Sequence, residues 1–188
     1  MDVLLIRHGE PRYDNVANLD LVAYLGELTP AGVCQAESAA DDERLKDAEL
    51  IVASPFTRAL QTASIISRKT QIPLLVEPLF HEWLNDTSHL YTLDKTYGRA
   101  AYHEFYDNNC ERTNECIYNW EAASHVADRS FRGMKKYYEL GYKKIIVVTH
   151  AMIIRTFGYT EQDIPFCHIH EYTYDNNSSY KGIVPWKG

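Results

Sequence analysis

Four short apolar runs, each followed by a polar cluster and then in most cases by a helical pattern, constrain this chain more than any other feature. They are Val3–Ile6, Leu50–Ala53 (LIVA), Leu74–Val76 and Lys144–Thr149 (KIIVVT). Each has the length of a strand. The near-continuous apolarity of the first, second and fourth is how strands covered on both faces read. The segment LTPAGVCQAESAADDERL offers Thr29 as an N-cap and Pro30 at the first helical position. A second helix is predicted over Arg58–Ser67, with apolar positions at Leu60, Ala63, Ile65 and Ile66. A third runs over Glu121–Leu140 to a C-cap at Gly141, and AMIIRTF follows the last run as a fourth. EYTYD and GIVPW read as two late strands around a DNNSS turn. From Trp83 to about Asn119 the pattern dissolves into tyrosine, histidine, asparagine and charge. Alternation of this kind predicts an α/β fold with a largely parallel central sheet.

At 188 residues the chain is expected to form one domain with a substantial core. Its formal net charge of −7 repels nucleic acid and anionic membranes, so any bound anion must be caught by a local cationic pocket. Cys34, Cys110, Cys116 and Cys167 show no metal-type CxxC spacing and are too sparse for a disulfide framework, so reduced thiols are expected. The N-terminal apolar run is too short for a signal peptide, and no stretch approaches membrane-spanning length. A soluble, cytoplasmic protein is the expectation.

The polar residues after the strands carry the chemistry. The first strand runs into Arg7-His8-Gly9, the second into Ser54-Pro55-Phe56-Thr57-Arg58, the third is followed by His81-Glu82, and the fourth ends on Thr149-His150. Ligands of open α/β sheets bind outside the carboxyl ends of the strands. One crevice is therefore offered Arg7, His8, Arg58, Glu82 and His150. Two arginines, two histidines and one carboxylate suit a doubly charged oxyanion, with phosphate the obvious candidate. A single histidine at a strand end is more often structural than catalytic. The conjunction at successive strand ends is what argues for a site.

RHGE at 7–10, LTPAG at 28–32, SPFTRALQTA at 54–63, the glutamate of FHEW at 82 and VVTHAMIIR at 147–155 together resemble the histidine phosphatase superfamily, also called phosphoglycerate mutase-like. The order and spacing match along the core of the chain and leave the 83–119 insertion and the C-terminal tail unmatched. The resemblance implies a three-layer sandwich, a central sheet flanked by helices. It also implies His8 as nucleophile, Arg7, Arg58 and His150 as the groups that hold the phosphoryl, and Glu82 as proton donor. Where relatives read RHGETxWN, this chain has Pro11, Tyr13 and Asp14, with Asn15 one residue further on, and Ala151 replaces a glycine often found after the second histidine. The catalytic set stays whole. The auxiliary phosphate contacts, for which Asp14 and Asn15 are the residues in question, differ.

Elementary chemistry agrees with that assignment. Phosphoryl transfer is mostly positioning and stabilisation of the equatorial oxygens. Arg7 and Arg58 are permanently charged forks, and a protonated His150 would add a third positive contact. Neighbouring cations lower the pKa of His8 and keep it nucleophilic, while Gly9 lets the backbone approach the phosphate. Glu82 would protonate the leaving alcohol and then activate water. The expected activity is that of a metal-independent phosphoric monoester hydrolase, without cofactor, acting on a small phosphorylated metabolite through a phosphohistidine. Phosphoglycerate mutase-type transfer is the nearest rival. A non-catalytic phosphate-binding regulatory module is the rival of another class, and the complete catalytic set argues against it. The insertion at about 83–119, with its tyrosines, His89 and His103, is the candidate substrate lid, or else packs as an irregular excursion. The pair His168 and His170 reads as side chains sharing one strand face rather than as metal ligands.

Overall fold

The apolar runs become the middle of one sheet. In the computed structural model, which describes residues 1–13, 22–89 and 95–183, the elements follow in the order β1 (Asp2–Arg7), β2 (Pro11–Arg12), α1 (Val22–Leu25), β3 (Glu27–Leu28), α2 (Pro30–Ala39), β4 (Leu50–Ala53), α3 (Thr57–Thr70), β5 (Leu74–Val76), α4 (Lys95–Asp107), α5 (Ala123–Glu139), β6 (Lys144–Thr149), α6 (Ala151–Thr156) and β7 (Ile169–Thr173). The five-stranded sheet has the order β5-β4-β6-β1-β7. All neighbours are parallel except β7, which runs antiparallel to β1. β2 and β3 form a separate two-stranded ribbon.

The strands are apolar throughout because both faces are covered. Val3, Leu5, Leu50, Val52, Ile145 and Val147 point into one core with Phe105, Trp120, Val126, Met134 and Ile153. The alternate residues Leu4, Ile6, Ile51, Ala53, Ile146 and Val148 point into the other, against Ala59, Ala63 and Ile66 of α3. Period-two alternation thus sends every second side chain to a different helical layer. The expected three-layer sandwich is the observed architecture. The two edge strands are less covered: Leu75 and Val76 of β5 are each 49% exposed, and β7 (IHEYT) buries only Ile169 fully.

Local signals act as the sequence predicts at several ends. The Thr29 hydroxyl accepts the Gly32 N–H at 2.9 Å and caps α2, with Pro30 opening the helix. Gly141 follows α5 at φ +90°, where a Cβ would be strained. Elsewhere the chain departs from expectation. The first predicted helix stops at Ala39, and Asp42 then caps a separate 3-10 turn over Glu43–Leu45. Glu121 lies outside α5, because its carboxylate is committed to Arg129. The last strand begins at Ile169. Gly182 and Ile183 are not in a strand, and the rest of the GIVPW stretch lies outside the described residues.

The 83–119 stretch contains a regular helix, α4, where the sequence shows only a loss of pattern. Its buried face is built from Ala101 and Phe105, with aromatics instead of the usual aliphatics and a glycine at position 98. Phe105 meets Trp83 and Trp120 at ring-centroid distances of 5.0 and 5.3 Å. Glu104 then accepts the N–H groups of Ile117, Tyr118 and the Trp120 indole. The segment is stitched into the core.

Candidate active site

Parallel register carries the functional residues to one edge. Arg7 stands opposite Thr149, and Ala53 opposite Val148. The ladder extends one residue further on each strand, with His8 N–H donating to Thr149 O at 2.9 Å and Ser54 N–H to Val148 O at 3.0 Å. His8, Ser54 and His150 therefore emerge side by side at the carboxyl end of the sheet.

His8 is 4% exposed, and its hydrogen bonds define its tautomer. Nδ1 lies 2.7 Å from the Gly9 carbonyl, which can only accept, so Nδ1 carries the proton. Nε2 is left with its lone pair, and the Nε–H of Arg58 points at it from 3.1 Å. Burial, then the charge of Arg58, hold the imidazole pKa well below its ordinary value. The ring is neutral and its free lone pair faces the cationic side of the site.

The two glycines of RHGE and LTPAG touch each other. A Cβ on Gly9 would lie 2.5 Å from the Gly32 carbonyl oxygen, and one on Gly32 only 2.3 Å from Glu10 O. The close approach that Gly9 permits is therefore to α2, a contact the sequence reading did not anticipate. Thr62, one turn along α3 from Arg58, accepts the Gly9 N–H at 3.0 Å and donates to Arg58 O at 2.8 Å. The backbone just after His8 is thereby tied to the helix that carries Arg58.

Arg7 and Arg58 lie over aromatic rings, at 4.2 Å from the Phe166 centroid and 5.1 Å from that of Phe56. Burial lowers both guanidinium pKa values. Arg7 donates through one terminal nitrogen to the Ile164 carbonyl. Its Nε and the Nδ1 of His150 are the two fully buried side-chain polar atoms that lack a hydrogen-bond partner among the described residues. Unmatched buried polar atoms are costly, and two of them beside the His8 imidazole mark where a polar ligand group belongs. His150 packs against His8 at 5.1 Å between ring centroids, and its Nε2 lies 2.7 Å from Ser54 Oγ. Burial, Arg58 and His8 together depress its pKa. The imidazolium expected from the sequence is thus disfavoured in the ligand-free site, where His150 is a neutral polar group.

Glu82 completes the group. Its Oε1 accepts the Trp83 N–H at 2.8 Å, and burial raises its pKa despite the nearby arginines. A carboxyl whose pKa is raised by burial holds its proton to higher pH, which suits it to give one up. The five predicted residues gather at this edge of the sheet: His8 lies against Arg58 and His150, and Arg7 and Glu82 share one cavity wall. Asp14 and Asn15 lie outside the described residues. His168 and His170 both pack edge-on against Tyr159, at 5.2 and 5.5 Å.

Sequence reasoning missed the brace behind Glu82. Arg129 of α5 donates to the carbonyls of Leu79 and His81 at 2.7 Å each and of Glu82 at 3.2 Å. Glu121 takes its Nε–H at 2.7 Å and a terminal N–H at 3.0 Å, and is buried with it. Thr149 adds a bond from its hydroxyl to Phe80 O at 2.8 Å. A signal existed: Arg129 is the one charged residue on a helix face otherwise made of Val126, Ser130, Gly133, Met134 and Tyr137.

Beside the phosphoryl space lies a cavity of about 310 Å³, whose walls include Arg7, Glu82, Trp83, Tyr102, Tyr106 and Arg155. Its size is at the small end of ligand sites. Tyr102 is among these walls, whereas Tyr97 instead accepts the Asn119 N–H at 2.9 Å and packs on Tyr118.

Solved structures share this architecture. The alpha-ribazole phosphatase from Shigella flexneri is 20% identical, superposes with a TM-score of 0.63, and is covered over 98% of this chain and 96% of its own. YhfR of Bacillus stearothermophilus is 17% identical, with a TM-score of 0.68 over 97% of this chain and 95% of its own. A mycobacterial glucosyl-3-phosphoglycerate phosphatase is 20% identical, with a TM-score of 0.59 over 82% of this chain and 76% of its own. No curated protein matches the sequence. The sequence profile of the histidine phosphatase superfamily (branch 1) matches residues 3–184, nearly the whole chain, and the protein belongs to that superfamily.

Proposed function

We propose that the protein is a phosphatase of small phosphomonoesters that works through a phosphohistidine at His8 and needs no metal ion. The observation that carries this reading is the Arg58 Nε–H on the His8 Nε2 lone pair. It sets a neutral nucleophile and a permanent cation on the same spot. An arriving phosphate dianion competes for the guanidinium, draws Arg58 onto its oxygens and frees the lone pair.

His8 Nε2 then attacks phosphorus in line while the ester oxygen departs. The P–N bond forms as the P–O bond breaks, and Arg7, Arg58 and the Nδ1 side of His150 stabilise the equatorial oxygens. Glu82 gives its proton to the departing alkoxide. In the second half, the Glu82 carboxylate takes a proton from water, the water oxygen attacks phosphorus, and His8 leaves as the neutral imidazole. The guanidiniums supply the positive charge that a metal would otherwise bring. The substrate is a small metabolite rather than a macromolecule, in keeping with the net charge of −7 and the cavity volume.

Rapid acid-free quenching during turnover tests the reading. Label from a radioactive phosphoester is expected on His8, stable to alkali and labile to acid, and absent from His8→Ala. Wild-type-like turnover by that variant, or activity abolished by EDTA, would overturn it. Release of label to water in place of an acceptor alcohol separates hydrolysis from mutase-type transfer.

A further inference from the structure

Arg155 is a buried cation that the phosphoryl chemistry does not use. It sits on α6, 8% exposed, and forms part of the wall of the cavity next to Arg7 and Glu82. One terminal nitrogen donates to Glu161 O at 2.9 Å and the other to the Gln162 carbonyl. Two carbonyls occupy two of the five donors a guanidinium carries. Among the described residues no carboxylate pairs with it: the Glu161 carboxylate is 3.3 Å from the Tyr159 hydroxyl instead. Arg129, buried to the same degree, has Glu121. A guanidinium buried without an anion is costly, and an anion delivered by a ligand offsets that cost.

The rest of the cavity says what else the ligand carries. Trp83, Tyr102 and Tyr106 form an edge-to-face series, with ring centroids 6.1 and 4.8 Å apart, and Met152 and Ile164 add apolar wall. Such walls favour a carbon skeleton with a flat or apolar face. Asp163 also lines the cavity but is exposed, where water and salt screen its charge. Arg7 and Arg155 are close enough that the charge of Arg155 contributes to lowering the Arg7 pKa, behind the larger effect of burial.

We infer that the alcohol part of the substrate bears a second acidic group, a carboxylate or a phosphate, which docks on Arg155 while its carbon skeleton lies against Trp83, Tyr102 and Tyr106. The inference rests on the phosphatase reading for the placement of the ester phosphate at Arg7 and His8. Arg155 is then a specificity residue: it selects a dianionic ester that carries a further negative charge over a neutral isostere.

The test uses aryl phosphates that differ in one group. Wild-type protein is assayed with 3-carboxyphenyl phosphate, its neutral isostere 3-carbamoylphenyl phosphate, 1,3-phenylene bisphosphate and plain phenyl phosphate. The expected preference for an acidic ester over the amide is about tenfold or more in kcat/KM, the scale of a charged hydrogen bond, and is carried mainly by KM. The better of the carboxylate and bisphosphate arms identifies the acidic group. Arg155→Met should bring the ratio to about unity, and Arg155→Lys should retain part of it. Equal kcat/KM for acid and amide in wild type, or a ratio that survives in Arg155→Met, overturns the inference. Should Arg155→Met fail to fold, competition by 3-(phosphonomethyl)benzoate against its benzamide analogue on wild type decides the matter, and equal inhibition overturns it. The phosphonates also bind without turnover, so calorimetry reads Arg155 docking even if no ester, phenyl phosphate included, is hydrolysed. That last outcome would sink the phosphatase reading alone.

Discussion

Arg58 Nε–H and His8 Nε2 face each other at 3.1 Å, so a permanent cation is hydrogen-bonded to the atom that attacks in the proposed mechanism. The pair holds the ring in one orientation, and the Gly9 carbonyl on Nδ1 fixes the other end. It also keeps the imidazole neutral, after burial the largest influence on its pKa.

Replacing Arg58 by Gln removes that charge while leaving the ring buried. The His8 pKa should rise but stay below the ordinary 6.5, because burial is the larger cause. Imidazole NMR titration reads this directly. kcat/KM should fall by roughly 10²-fold or more, as for loss of one preorganised donor to the transition state. An unmoved His8 titration would show that the contact has no electrostatic consequence.

The proposed mechanism requires neutral His8 together with protonated Glu82. His8 is depressed from 6.5, so the acid limb of kcat/KM falls below that value. Glu82 is raised from 4.5, so it keeps its proton above that value and loses it as pH rises further, which gives the alkaline limb. Glu82→Gln should abolish the alkaline limb and keep the acid one. General acid catalysis is worth roughly 10²–10⁴-fold, and an alkyl phosphate should lose most of it. p-Nitrophenyl phosphate, whose leaving group departs without a proton, should lose far less. The ratio of variant to wild type cancels the substrate's own ionisation. Equal losses for both esters would remove Glu82 from the acid role.

Arg129 acts at one remove, through the Leu79, His81 and Glu82 carbonyls it holds. Arg129→Met leaves Glu121 buried and unpaired and should destabilise the fold by about 3–5 kcal/mol. Adding Glu121→Gln should recover part of that in urea unfolding. Arg129→Lys, with no fork, should fold yet show the Glu82 signature, a larger loss on alkyl than on p-nitrophenyl phosphate. Parallel losses would make Arg129 a purely structural residue.

Tyr97 and Tyr102 share α4 and should part company under mutation. Tyr102→Ala opens the cavity wall and should raise KM for a bulky ester more than for a small one. Tyr97→Ala removes the acceptor for Asn119 N–H and the Tyr118 contact, so it should lower Tm and leave the ratio of the two KM values alone. A changed ratio in Tyr97→Ala would extend the site along the helix.

The layers, and the placing of Arg7, His8 and His150 at one edge of the sheet, were legible because each depends on a short-range signal. An apolar run of four residues declares a strand buried on both faces, and the residue one step past it must sit at the sheet's edge. What stayed hidden depends on distant partners. Nothing near position 32 announces that Gly32 faces Glu10 O, and nothing near 121 announces Arg129. α4 was hidden for another reason: its face is aromatic and carries Gly98, so periodicity written in Leu and Ile is missing. Gly9 told only that something comes close, and its partner Gly32 is a distant residue of the same hidden kind.

β1 lies between β6 and β7. β1 is synthesised well before its partners, and residues 144–173 must follow before either edge is paired. Until then its backbone groups have no native ladder partners, a state exposed to misassociation. Closing a loop that spans most of the chain is slow relative to local helix formation. The helices can form early, but the imidazole of His8 acquires its depressed pKa and its partners only in the last stage of folding. Enzymatic competence and completion of the sheet should therefore arrive together.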